Sequence, residues 1–261
     1  MKASELHVAR PWIQTLVYGD SGTGKTSWGA RAPAPYMLVT EAQAVPSIAV
    51  ANPDAEVELV DSYPALLETL AAMYQGATVE EDRQPWLLFE KDGKRYQIQT
   101  VILDSLTNIH SKIAEWKKVD EIEKKSLQRW SQTQTELKRL LDKLRTLPVN
   151  IVCTALQTTI GGGEDEPRRV VPTLHGKIAE TVGQYFAAVG YSYKRNREYR
   201  ISWTLGEGYI TKRPATTETF PDCIVQDIST PGKTTLGSML LHLYPGMVVA
   251  AEAHDDASFM Q

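Results

Sequence analysis

Apolar positions along this chain fall into two patterns. Short unbroken runs mark strands buried on both faces, and apolar residues spaced three and four apart mark helices. Trp12–Tyr18 is a run of the first kind, as are Tyr36–Thr40, Val57–Val60, Thr100–Leu103 ahead of Asp104, and Val149–Leu156. "DSYPALLETLAAMYQG" reads as a helix, with Ser62 as N-cap, Pro64 in the first turn and Gly76 at its end. Between Ser126 and Leu147, residues Leu127, Trp130, Leu137, Leu140, Leu141, Leu144 and Leu147 keep helical spacing until Pro148.

Turn chemistry supplies the rest. A short helix from about Gly24 is stopped by Pro33 and Pro35, and Asp92-Gly93 joins two strand-like runs into a hairpin over 86–98. "TTIGGGEDEPRRVVP" reads as a mobile loop over 158–172. A helix near Lys177–Phe186 is followed by a meander of Ala187–Tyr193, Tyr199–Leu205 and Tyr209–Lys212, then by a helix at about Thr234–Leu243 and a polar tail. Strands alternating with helices and closing on a meander predict an α/β fold. Its sheet is mostly parallel and twisted, flanked by helices, with an antiparallel edge. We divide the chain into an N-terminal extension (1–11), a core (12–228, with the hairpin as an insertion) and a C-terminal helix and tail (229–261).

Composition bounds the class. At 261 residues, 42% hydrophobic and 23% charged, the chain suits one soluble α/β core with trimmings. "MKASELHVARPW" has no apolar leader and no run of about 18 apolar residues follows, so a cytoplasmic protein without a membrane role is expected. Cys153 and Cys223 lack metal-ligand spacing, and Cys153 in its apolar run reads as a small buried hydrophobe. The net charge of −4 argues against a general nucleic-acid coat. Its distribution does not. Residues 168–213 hold nine Lys/Arg against three Glu, an excess of six that leaves −10 for the remainder. That asymmetry permits a local polyanion-binding surface.

The chemistry starts at Gly19-Asp20-Ser21-Gly22-Thr23-Gly24-Lys25-Thr26, which fits G-x-x-x-x-G-K-[ST] between a strand and a helix. Glycines let successive N–H groups turn in on phosphates, and the helix start adds its positive end. Lys25 then reaches the β- and γ-phosphates of ATP, Thr26 ligates Mg²⁺, and Ser27 completes the nucleotide-binding stretch. "TVILDSLT" delivers Asp104 to the carboxyl end of the sheet as the second metal-binding group. Ser105 follows it where many ATPases carry a glutamate base. Glu41, at the tip of the strand after the P-loop helix, is therefore the candidate that orients water. If that strand lies beside the P-loop strand, Glu41 points at the γ-phosphate.

These stretches, with "LVTEAQ", "LQRWSQTQTELKRLLDKLRTLPVNIVCTA" and "TLHGKIAETVGQYFAAVGY", resemble the RecA-like ATPases. Within them the chain is similar to the phage family of compact RecA-like NTP-binding proteins, which includes single-strand-annealing ATPases of phage recombination. The likeness spans roughly residues 12–225. It implies a RecA-like P-loop core in the cytoplasm of a phage's host. Gln157 would be a polar sensor of nucleotide state, and the loop after it a DNA-binding element with Arg168, Arg169 and Lys177 on phosphates. A neighbouring subunit of a ring or filament would supply Lys212 or Arg213 to the γ-phosphate. These two are adjacent where the family has one residue between its basic pair, which leaves open which of them acts. Single-stranded DNA, further copies of the chain and a single-strand-binding protein are the implied partners. DNA-stimulated ATP hydrolysis in annealing or recombination is the implied activity.

Two other functions compete. One is an ATP-dependent switch or assembly factor acting on a protein partner without DNA. The other is a small phosphotransferase, whose lid the 161–169 stretch would mimic. Trp86, Trp116, Trp130 and Tyr193 are the aromatics considered for base stacking, with Trp130 on the apolar face of its helix.

Overall fold

The computed structural model of the protein describes residues 12–81, 84–119, 126–163, 167–206, 208–213 and 223–226. The expected N-terminal extension, the Thr234–Leu243 helix and the tail lie outside these residues. The strands are β1 (Gln14–Gly19), β2 (Pro35–Val39), β3 (Glu56–Leu59), β4 (Ala77–Glu81), β5 (Gln84–Lys91), β6 (Lys94–Ile98), β7 (Thr100–Asp104), β8 (Asn150–Ile160), β9 (Arg169–Pro172), β10 (Ala188–Arg195), β11 (Glu198–Ser202) and β12 (Cys223–Gln226). The helices are α1 (Lys25–Ala30), α2 (Val45–Ala51), α3 (Tyr63–Gln75), α4 (Leu106–Val119), α5 (Ser126–Leu144) and α6 (Ile178–Thr181).

A nine-stranded sheet runs β12-β11-β10-β1-β8-β7-β2-β3, with β9 paired to the outer part of β8. It is parallel from β10 through β3 and antiparallel at β11 and β12. The inner parallel strands β1, β8, β7 and β2 are buried on both faces over their core spans, which explains their unbroken apolar runs, whereas the edge strand β3 is half-buried to exposed. Leu16, Tyr18, Val101, Leu103, Cys153 and Ala155 face one core, built with Leu66 and Leu70 of α3, Ile109 and Ile113 of α4, and Leu137, Leu140, Leu141 and Leu144 of α5. Val17, Met37, Val39, Ile102 and Val152 face the other, under Trp28 of α1 and Ile48 of α2. Each fully buried leucine of α5 contributes about 1.5–3 kcal/mol through removal from water. That spacing, more than helix propensity, holds the helix. Cys153 is buried and free, and burial pushes its thiol up to about 12.

The α/β class, the Ser62 cap on α3 (which accepts from the Ala65 amide at 3.3 Å) and the Asp92-Gly93 hairpin turn agree with the reading above. Asp92 and Gly93 both take positive φ, 51° and 74°, as a two-residue turn between antiparallel strands requires. Several details differ. The hairpin begins at Gln84 and gains a third strand, β4. It docks on the β3 side of the main sheet through Lys91 on Glu58 (2.9 Å), Lys94 on Glu56 (2.7 Å), and Tyr36 packed on Phe89 and Tyr96.

The expected third meander strand at Tyr209–Lys212 is two isolated bridges, because its two ends bond different strands, Tyr209 pairing Val170 of β9 and Lys212 pairing Val189 of β10. The strand that continues the meander is β12. Most consequential is β8. It does not end at Leu156 but runs to Ile160, because β-branched residues on both sides of the glycines pair as an antiparallel ladder from Gln157↔Pro172 to Ile160↔Arg169. The 158–172 stretch is therefore the shaft of an arm plus its tip, not one continuous loop. No helix among the described residues is long and apolar enough to cross a membrane.

Candidate functional site

The carboxyl ends of β1, β7, β8 and β2 open into a cleft of about 800 Å³, with the loop Ser21–Ser27 as its floor. The glycines shape that loop. Gly22 and Gly24 take φ of 72° and 85°, which turns the backbone inward, and α1 starts with no side-chain cap and no acidic residue in its first turn. Gly19 is needed for closeness: a Cβ there would sit 2.0 Å from the Ser192 carbonyl oxygen of β10. Ser192 also donates its hydroxyl to the Thr23 carbonyl at 2.8 Å, and Thr23 donates to the Asp20 carbonyl at 2.8 Å. The loop is thus laced to β10 and to itself.

Lys25 is buried and folds back, its Nζ donating to the carbonyls of Gly19 (3.0 Å) and Asp20 (2.5 Å). Burial pulls its ammonium down from 10.5 to about 8, against the opposing pull of Asp104 and Asp20. A cation held at such cost calls for an anion. Thr26 donates to Asp104 Oδ2 at 2.7 Å, and Thr154 of β8 donates to Asp104 Oδ1. Asp104 is buried, and both of its oxygens are oriented.

These groups fit Mg²⁺-ATP. The loop amides and Lys25 suit the phosphates, and one hydroxyl beside one carboxylate suits Mg²⁺, which takes its remaining ligands from phosphate and water. Among the described residues no group of three or more His, Cys, Asp and Glu is gathered as an all-protein metal cage, in keeping with that mode. A separate hollow of about 590 Å³, where Gly76 after α3 meets Phe89 and Tyr96, has none of these phosphate-binding elements.

Glu41 lines the cleft, yet not by the route expected. Its strand, β2, is not beside β1. Both β8 and β7 stand between them. Glu41 reaches the cleft because parallel strands end at one edge. Its Oε1 accepts from Asn108 Nδ2 (2.7 Å), which also donates to Thr40 Oγ1 (3.2 Å). Thr40 in turn donates to the Asp104 carbonyl and accepts from the Ser105 amide, both at 3.1 Å. This clamp of Thr40 and Asn108 was not read from the sequence, and neither was Thr154. Asn108 lies in the first turn of α4, whose apolar positions Leu106, Ile109, Ile113 and Trp116 carried a helical signal.

The other sequence candidates fall elsewhere. Leu156 lines the cleft, Thr154 on the same side of the strand is buried against Asp104, and strand alternation sends Gln157 to the opposite face, where its side chain hydrogen-bonds Tyr191. Lys212 pairs at the level of Leu16, below the loop, and donates to the Phe186 carbonyl at 2.7 Å. Arg213, half-buried, follows it. Arg168, Arg169 and Lys177 are exposed at the arm and its foot, with Arg169 paired to Glu180 at 3.0 Å. Of the aromatics, Trp116 packs on Tyr63, Tyr193 stacks on Tyr191, and Trp86 is half-buried. Trp130 is exposed rather than covered, because His175, 4.3 Å away centroid to centroid, shields only part of its ring.

No curated protein matches the chain. A family model, AAA_24, described as an AAA domain, matches residues 13–221 and so takes in the P-loop, Asp104, Glu41 and the arm. With Lys25, Thr26 and Asp104 disposed as nucleotide and metal binding require, the chain belongs to this family of AAA-type P-loop ATPases.

Proposed function

We propose that this ATPase is a compact RecA-like protein that binds single-stranded DNA and couples its nucleotide state to annealing or recombination. The observation that carries the reading is β8. One strand holds Asp104 through Thr154 at its middle and continues directly after Leu156 as the four-residue shaft Gln157–Ile160 of the arm whose far side carries Arg168 and Arg169. A shift at the metal-binding carboxylate therefore has a rigid path to a basic arm. Beside the arm's foot, exposed Trp130 and His175 pack together near Lys177, a pairing of aromatic and basic groups suited to bases and phosphates. Phosphate contacts of this kind give affinity without reading sequence. Copies of the chain in a ring or filament, a neighbour's Lys212 or Arg213, and a single-strand-binding protein belong to the same proposal.

In this reading Mg²⁺-ATP brings the phosphoanhydride bond that water cleaves. The residues of the chain hold the reactants. The loop and Lys25 bind the phosphates, Thr26 and Asp104 hold the ion, and Glu41, steadied by Asn108, orients water and accepts its proton.

The test is ATP turnover with and without single-stranded DNA at low salt, with Lys25→Ala as control. DNA stimulation that the control abolishes supports the proposal. Lys25-dependent turnover indifferent to DNA favours the protein-partner switch. That alternative draws on Arg169 and Arg200 already being paired, to Glu180 and Glu198.

A further inference from the structure

The loop, Thr40, Glu41 and Asp104 account for phosphates, metal and water. Gln43, Pro46, Ser47 and Val50 by α2 and Tyr199 on the far flank also line the cleft and have no part in that chemistry. Tyr199 is the one aromatic among the described residues that line the cleft, half-buried on β11 and paired across the ladder with Lys194 of β10. Its face of the sheet is the one occupied by α1: Ile201 and Trp203, on the same alternation, pack into the core with Trp28. Tyr199 emerges where that apolar stripe reaches the tip of the phosphate loop. Lys194, outside the cleft lining, places its Nζ 4.8 Å from the Tyr199 ring centroid and donates to its hydroxyl at 3.4 Å.

The sheet order supplies a direction. Asp104, Thr154 and Glu41 all stand on the β8-β7-β2 flank of β1, whereas β10 and β11 stand on the other. A triphosphate held by the loop would set its reacting phosphate toward Asp104 and Glu41, and its nucleoside end would then leave toward β10 and β11.

We propose that Tyr199 is the platform on which the nucleobase stacks, with Lys194 bracing and polarising the ring from outside the cleft. The proposal rests on the reading of this cleft as a nucleotide site. Stacking on an aromatic face is tolerant of base identity, so the platform adds affinity and orientation more than discrimination. Tyr199 acts here as a positioning residue, remote from the bond that breaks.

The experiment measures binding of ATP and of inorganic tripolyphosphate, each with Mg²⁺, to the full chain and to Tyr199→Ala, Tyr199→Phe and Lys25→Ala. Tyr199→Ala is expected to weaken ATP roughly tenfold or more while leaving tripolyphosphate within about twofold. Tyr199→Phe restores ATP binding, and Lys25→Ala loses both ligands. Unchanged ATP affinity in Tyr199→Ala overturns the proposal. So does an equal loss of both ligands there, or a failure of Tyr199→Phe to recover, since either makes the residue a support for the loop. If the wild-type chain binds neither ligand, the nucleotide reading falls and the platform with it. If only the base-dependent increment is missing, the nucleotide reading stands and the platform alone is refuted.

Discussion

Lys25 makes nucleotide binding a proton-linked reaction. In the free protein burial holds its ammonium at about 8, well below the 10.5 of a free lysine. Triphosphate brought against it favours the charged form and lifts that value back above the working range. Only the protonated lysine suits the ligand, so the apparent affinity follows its protonated fraction, about nine-tenths at pH 7, half at pH 8 and one-tenth at pH 9. ATP affinity should therefore fall about tenfold from pH 7 to pH 9. Binding at pH 8 should take up about half a proton. Titration calorimetry in two buffers of different ionisation enthalpy reads both quantities at once. An affinity constant to within twofold over this range, with no buffer-dependent heat, would refute the reasoning.

Four further outcomes are expected. A lysine whose folded value lies below its unfolded one costs stability at pH 7 and is relieved as pH climbs from about 8 toward 10.5. Lys25→Met should therefore stabilise the ligand-free protein by roughly 2–3 kcal/mol and raise its Tm by several degrees while removing ATP binding. Glu41→Gln should cut turnover by ~10²–10⁴ with ATP binding intact, and Asn108→Ala should give a smaller loss of the same kind, both read in steady-state kinetics. Gly19→Ala drives a methyl into the Ser192 carbonyl and should destabilise by about 1–3 kcal/mol in urea unfolding. Replacing Arg168 and Arg169 together by alanine should flatten the salt dependence of single-stranded DNA binding by about 1.4 in log–log slope. A slope equal to wild type would remove both from the proposed interface.

Much of the site was legible in the chain because it is contiguous. The phosphate loop needs eight adjacent residues and two flanking elements, and Asp104 announces itself as the first charge after a buried apolar run. Glu41 was found for the right edge of the sheet on the wrong adjacency. Every inner parallel strand presents the same unbroken apolar pattern, so nothing local says which strand lies beside which. Gln157 was misplaced for a related reason. The glycine triplet suggested that β8 had ended, whereas the partner that extends it, Val170-Val171, lies beyond the glycines. Once β8 is seen to continue, alternation alone turns Gln157 away from the cleft. Helices α2 and α4 were missed where a short run with Pro46 and a polar helix start weakened the signal.

The sequence by itself determined the class of fold, the phosphate-loop motif, the carboxylate Asp104 at the end of its buried strand and the uneven charge. Each is written in neighbouring residues whose backbone and burial requirements are local. Tertiary structure alone decided that β8 enters between β1 and β7, and so brings Thr154 to Asp104. It also decided that Asn108 steadies Glu41 and that Tyr199 stands across the loop from both. Those relations join residues dozens of positions apart. They are set by which buried strands pair and which helices cover them, a choice made by packing the whole core at once.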